Sequence, residues 1–355
     1  MAKILITGSK GVVGSFLTKI LTERGHQVFG VDLDHAFGEI GFEHEMAKTD
    51  FSYARADIGD FRQIERIFEK AGPFDFVYNT AAEFGRWNGE DYYEQLWRTN
   101  AIGTKNMILL QEKYGFKMIH FSSSEVYGDY DGTMVEEIMD KVEVKQMNDY
   151  AMSKWVNEMQ IRNSRLQHNT QTVIVRLFNT YGPGEWYHPY RSVNAKFCYH
   201  ALHNLPITVY RGHTRTSTYL EDTCRTLSNI VDNFKPGETY NIGGVEEHSI
   251  DQLAKIIWDY TGADPKLIEY KDGEIMTMKN KPLDTRKAIR DLGHKISFSL
   301  EEGVKRTIDW MRKYYGLEVS RGGVASLSSN PFNGREENRQ PDQKHLNPFD
   351  PFRKS

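Results

Sequence analysis

Short apolar runs and stretches of helical period alternate along the first half of the chain. Lys3-Ile4-Leu5-Ile6-Thr7 is apolar without alternation, the pattern of a short strand covered on both faces. Phe16, Leu17, Ile20 and Leu21 then recur at helical spacing, and Gly25 supplies a stop signal. Further strands are expected at 27–32, 52–57, 74–82, 117–124 and 172–178. One long helix is expected over about 92–114 and another from 150 to about 166. Strands alternating with helices imply a parallel, doubly wound α/β sheet.

After Tyr181-Gly182-Pro183 the pattern loosens into Gly, Pro and aromatic residues, which reads as loops carrying a site. Helical period returns at 249–261 and 300–315. The expected division is residues 1–180, with part of 216–245 returning to them, then a smaller α/β region over 181–318. Residues 319–355 are rich in Pro, Ser, Asn and Gly without periodicity, and read as a disordered polar tail. Its Asn330-Pro331-Phe332 and Asn347-Pro348-Phe349 repeat is a possible weak docking signal for another protein.

Composition narrows the classes. The 355 residues carry a net charge of −4, from 45 basic and 49 acidic side chains, so no polycationic surface for nucleic acid or an acidic bilayer is present. No apolar run approaches the roughly 20 residues of a membrane helix. Two cysteines, Cys198 and Cys224, make no disulfide framework, and a reducing cytoplasm is the expected setting. No His/Cys/Asp cluster has metal-ligand spacing.

Chemistry enters directly after the first strand, at Thr7-Gly8-Ser9-Lys10-Gly11-Val12-Val13-Gly14. Three glycines at a strand–helix junction serve a tight turn, close approach of backbone to a pyrophosphate, and close helix–strand packing. The following helix aims its free N–H groups at the anion. Glycines alone would also serve a plain turn. Asp32, ending the second strand, adds an acceptor for a ribose diol, and no Arg or Lys occupies 33–36 to hold a 2′-phosphate. The combination predicts a Rossmann-type unit that binds NAD. Asp57 and Ile58 would face the adenine, and the small Ala81 leaves room for the cofactor to cross the sheet edge.

Tyr150 and Lys154 lie four apart in a helical segment and share one face. A phenol with a reference pKa of about 10 is a poor neutral-pH base. A neighbouring ammonium and an oxidised nicotinamide would favour its phenolate, so a lowered Tyr150 pKa is expected. A core tyrosine with a solvated lysine is the plainer reading of the pair alone. Ser122-Ser123-Ser124-Glu125 tips the balance by placing hydroxyls and a carboxylate at the end of a central strand, where such sheets bind ligands.

The G-x-x-G-x-x-G turn, the serine-bearing strand and Y-x-x-x-K together resemble the extended short-chain dehydrogenase/reductase family, in its nucleotide-sugar branch of epimerases, dehydratases and decarboxylases. The resemblance spans roughly residues 3–315. It implies Tyr150 as base, Lys154 as its tuner and ribose ligand, and Ser123 as the partner of a sugar hydroxyl. It also implies Asn100 as a structural residue of the central helix and Asn179 and Arg215 as contacts of a nucleotide-diphosphate sugar, beside which Glu83, Arg86 and Arg191 are further candidate substrate contacts. A homodimer built on the helices around Asn100 and Tyr150 is implied as well.

Members of the branch oxidise C4 of the sugar, and the resulting ketone acidifies C5 or labilises a neighbouring carboxylate. Glu125, two residues beyond Ser123, resembles the second acid/base of 4,6-dehydratases and glucuronate-type decarboxylases, which 4-epimerases usually lack. Ser124 stands where thymidine-linked dehydratases usually carry an acidic Asp. Arg191 or Arg86 would face a C6 carboxylate. Lyase chemistry is therefore expected ahead of 4-epimerisation, with a catalytically silent cofactor-binding scaffold as the alternative of another class.

Overall fold

The computed structural model describes residues 1–33 and 52–317. Seven strands form one sheet in the order β7-β6-β5-β4-β1-β2-β3, every pairing parallel. They are β1 (Lys3–Thr7), β2 (Gln27–Asp32), β3 (Ser52–Arg55), β4 (Phe76–Asn79), β5 (Lys117–Ser123), β6 (Thr172–Leu177) and β7 (Thr239–Ile242). The apolar run of β1 is buried from Ile4 to Thr7 because β2 and β4 flank it and helices cover both faces. Strand order reverses between β1 and β4, which opens a crevice at their carboxyl ends.

Helices α1 (Val12–Glu23), α2 (Phe61–Ala71), α3 (Gly103–Tyr114) and α4 (Asp149–His168) belong to this sheet. Asp60 caps α2, accepting from the backbone N–H of Arg62 and Gln63. β4 and β3 are shorter than their apolar patterns, because only the central residues of the first and the leading four of the second pair in register with neighbours.

The expected continuous helix over 92–114 is broken. Arg86–Asp91 and Tyr93–Trp97 are separate turns, since Tyr92 leaves helical geometry at φ −133°, ψ 48°. Arg98–Ile102 is a π-turn that runs into α3. Its extra residue aims Asn100 at the chain after β4: Asn100 Oδ1 accepts from Glu83 N at 2.9 Å, and Nδ2 donates to Glu83 O and Ser153 Oγ, both at 3.0 Å. Apolar periodicity cannot register a one-residue insertion made for a polar contact.

A second core is assembled by α5 (Val193–Leu202), α7 (Ile250–Thr261) and α8 (Leu300–Tyr314), including Ala195, Cys198, Leu253, Ile257, Val304 and Ile308. Between α5 and α7, α6 (Leu220–Ser228) packs on α1 through Leu220, Cys224 and Leu227. Both cysteines are buried, unbridged thiols. The repeats at 330–332 and 347–349 lie outside the described residues.

Beneath the carboxyl ends of β5–β7 runs a closed polar network. Arg176 on β6 grips Glu158 on α4 with two bonds of 2.9 and 2.7 Å, both side chains fully buried. Ser122 Oγ donates to Glu158 at 2.6 Å, Arg176 Nη1 donates to Tyr127 Oη at 2.9 Å, and Tyr127 Oη donates to Asn241 Oδ1 on β7 at 2.8 Å. Removing one partner leaves an uncompensated buried charge. Arg176→Met should therefore lower unfolding free energy by about 3–5 kcal/mol, while adding Glu158→Leu should recover part of it. Urea denaturation of the two variants checks this.

Candidate active site

One cavity of about 1020 Å³ opens at the carboxyl ends of the strands and collects every residue that the sequence nominates. Gly8, Gly11, Val12, Val13, Gly14, Asp32, Asp57, Ile58 and Ala81 line one end of the same space as Ser123, Ser124, Glu125, Tyr150 and Lys154. Glu83, Arg86, Asn179, Arg191 and Arg215 line it too.

The glycine turn is shaped for an anion. Gly8 holds φ +68°, and a Cβ there would lie 2.8 Å from the Ala81 backbone. A Cβ on Gly14 would meet Gly8 O at 2.1 Å. α1 begins at Gly11 with no side-chain cap and no acidic residue in its first turn, which leaves its N–H groups open to the cavity. Asp32 Oδ2 accepts from Lys10 N at 2.9 Å and Oδ1 from Leu33 N at 2.7 Å, so its carboxylate is fixed at the rim. Asp57 accepts from Gly59 N and from Arg98. A dinucleotide fits this cradle: open helix donors for a pyrophosphate, an oriented carboxylate for a ribose.

Tyr150 lies in the first turn of α4, whose N-cap Asn148 accepts from Ala151 N at 2.8 Å. In the chain by itself its pKa lies above the ordinary phenol value. Burial pushes the phenol up to about 12, the Ser123 hydroxyl partly offsets this, and the Glu125 carboxylate pushes it further up. Lys154 Nζ donates to Phe121 O at 2.8 Å and stands 5.9 Å from the Tyr150 ring centre. Burial lowers its own pKa to about 8. The chain alone thus disfavours the phenolate, because desolvation and the Glu125 charge outweigh the Ser123 hydrogen bond.

Glu125 rides on the 3-10 turn after β5 (Ser124–Tyr127), where Ser123 Oγ accepts from its N–H at 3.2 Å. Burial pushes its carboxyl up, but Lys281, Arg86 and Arg215 together hold it below the ordinary glutamate value. Arg86 pairs with Glu274 at 3.0 Å through Nη2, while its Nη1 is buried without a hydrogen-bond partner. Arg215 is anchored by Nη1 donation to the Thr214, Met278 and Lys279 carbonyls. Arg191 lies 3.9 Å over the Phe84 ring and faces Glu185 and Glu83. Glu83 accepts from Gln95 at 2.7 Å and Asn88 at 3.2 Å, which orients it as part of the wall. Asn179 lines the cavity with its carbonyl bonded to Thr218 N.

Sequence reasoning passed over Lys281 and Glu274. Neither lies in a motif: Lys281 sits in Lys279-Asn280-Lys281-Pro282, far along the chain from Glu125, and only tertiary folding joins them.

Comparison with known proteins agrees with this geometry. A family model described as the NAD dependent epimerase/dehydratase family matches residues 4–243. UDP-glucuronic acid decarboxylase 1 of Xenopus tropicalis is 30% identical over 88% of this chain and 72% of its own length. The dTDP-glucose 4,6-dehydratase of Salmonella typhimurium is 27% identical over 94% of this chain and 100% of its length. The crystal structure of UDP-glucose 4-epimerase from Thermotoga maritima with UDP-glucose superposes with a TM-score of 0.79 at 26% identity, covering 89% of this chain and 100% of that one.

Gly14→Ala tests the cradle. Overpacking of about 1–3 kcal/mol there should weaken NAD binding by roughly 5- to 150-fold, measured by calorimetric titration.

Proposed function

The chain belongs to the NAD dependent epimerase/dehydratase family, and on that premise we propose that it is a nucleotide-sugar lyase, a 4,6-dehydratase or a glucuronate-type decarboxylase. The observation that carries this reading is Glu125: a second carboxylate, held ionised, in the same cavity as Tyr150 and Ser123 and close enough to raise the Tyr150 pKa. Inverting C4 needs no such group, whereas removing or returning a proton at C5 does.

When bound, NAD supplies the hydride acceptor and a positive ring that favours the phenolate. Gly8, Gly11, Val12, Val13 and Gly14 would hold its pyrophosphate, Asp32 a ribose diol, Asp57, Ile58 and Ala81 the adenine side and the crossing of the sheet edge, and Lys154 the second ribose. Tyr150 Oη then takes the proton of the C4 hydroxyl, Ser123 hydrogen-bonds the same oxygen, and the Lys154 ammonium offsets the phenolate charge. In a dehydratase Glu125 removes the C5 proton; in a decarboxylase, loss of CO2 leaves an enolate that is protonated at C5. Ser124 offers only a hydroxyl in place of an acid. Glu83, Arg86, Asn179, Arg191 and Arg215 would bind the sugar diphosphate. The unpartnered Arg86 Nη1 supports an anionic ligand group beside Glu125.

A 4-epimerase is the second reading, favoured by the solved epimerase whose fold superposes on this chain. A silent scaffold is disfavoured by the intact Tyr150–Lys154 pair. Among the described residues no helix is long and apolar enough to cross a membrane; a cytoplasmic location and a homodimer are part of the proposal. For the dimer, α3 and α4 expose Leu109, Met152 and Met159 at 38–41%. Light scattering of the protein and of Met159→Asp would report it as a mass halved by the charge.

Purified protein incubated with NAD and a panel of nucleotide hexoses and hexuronates should release CO2 or yield a 4-keto-6-deoxy sugar. Simple inversion of C4 would select the epimerase reading, and intact NAD binding without turnover the scaffold. Tyr150→Phe should lower C4 oxidation by about 10²–10⁴-fold with cofactor still bound. Glu125→Gln should permit C4 oxidation and stall afterwards, seen by absorbance as accumulating reduced cofactor.

A further inference from the structure

Lys281 is a buried lysine paired with the Glu125 carboxylate. Its Nζ donates to Glu125 Oε1 at 2.5 Å, with the two side chains 6% and 19% exposed. Its backbone is clamped on both sides. Upstream, Thr214 N donates to Lys279 O at 2.9 Å, and Arg215 Nη1 donates to Met278 O and Lys279 O. Downstream, Met134 N donates to Pro282 O at 2.8 Å and Asp284 N to Met134 O at 3.2 Å. These bonds fix the backbone on either side of Lys281, from which its buried side chain reaches Glu125.

We propose that Lys281 is the positioning residue of Glu125: it holds the carboxylate ionised and aimed, and it drives Glu125 to release any proton it takes up during the lyase step. This rests on Glu125 being the second acid/base. In elimination, the C5–H bond breaks, its electron pair becomes the C4–C5 enolate, and the proton bonds to Glu125. The enolate electrons then form the C5–C6 double bond as the C6–O bond breaks, and the proton leaves Glu125 with the departing hydroxide as water. In decarboxylation Glu125 takes a proton from solvent, passes it to C5 of the enolate left by CO2, and returns to the carboxylate. Either way, a neutral Glu125 leaves the ammonium unpaired among like charges, which favours return to the carboxylate.

The groups facing the pair come from several elements. Arg86 comes from the helical turn after β4, Arg215 from the strand Thr214–Arg215, and Tyr150 from α4; Glu274, paired with Arg86, completes the set. Burial lowers the Lys281 pKa to about 8, Glu125 raising it in opposition and Arg215 and Arg86 adding to the fall. The ammonium is therefore present at neutral pH and lost as pH rises through about 8.

The test compares wild type, Lys281→Met and Lys281→Arg, each first checked for folding by NAD binding. Infrared pH titration of the carboxyl band, with Glu125→Gln as the subtracted reference, reads Glu125 without any substrate. Lys281→Met should raise its midpoint by about one unit or more, and Lys281→Arg should restore it. With UDP-glucuronic acid or dTDP-glucose as substrate, the acid limb of kcat should move up by the same amount with KM little changed. An unmoved Glu125 midpoint in Lys281→Met overturns the proposal. If Lys281→Met does not fold, Lys281→Gln takes its place with the same criterion. Normal turnover by Glu125→Gln would instead sink the role of Glu125, whatever the titration shows.

Discussion

The ion pair between Arg176 and Glu158 is the constraint on which the site depends. It joins β6 to α4, and through Ser122, Tyr127 and Asn241 it also fixes β5, the turn after β5, and β7. Several of the candidate site residues lie close in sequence to a member of this network, and Tyr150 shares α4 with Glu158 two helical turns on. Ser123 follows Ser122, Glu125 precedes Tyr127 by two, and Lys154 is one helical turn before Glu158. A buried pair of this kind contributes little net stability over an apolar replacement, but it tolerates only one geometry. Its consequence is positional: strand ends and helix cannot shift independently beneath the reacting groups.

Above that floor the site is an arrangement of opposed charges taken out of water. Desolvation disfavours both the Tyr150 phenolate and the Lys154 ammonium, raising one pKa to about 12 and lowering the other to about 8. Glu125 escapes the same fate because three cations surround it. The two carboxyl-end functions are therefore set apart by environment. One is a phenol held neutral by burial, and the other a carboxylate that nearby cations favour as the ion. Two long-range pairs, Arg86–Glu274 and Lys281–Glu125, join the sheet's loops to the chain around 274–281.

How much of this was legible follows from sequence separation. The glycine turn, Tyr150 with Lys154, and Ser123 with Glu125 are local patterns, in which a strand end or one helical turn suffices to bring the groups together. The short-range signals also carried the alternation of strand and helix. The broken helix before α3 was not legible, because the π-turn at Asn100 answers to Glu83 and Ser153, which lie in other elements. Lys281 was not legible either, since 156 positions separate it from Glu125.

The sequence by itself determined the parallel sheet and nominated the cofactor turn and the candidate reacting side chains, because each depends on spacing along a strand or a helical turn. Tertiary structure decided the charge states. Whether Tyr150 is easier or harder to ionise, and whether Glu125 is a base or a neutral acid, depends on burial and on cations supplied by distant segments. Those quantities are sums over space, and no local pattern in the chain encodes them.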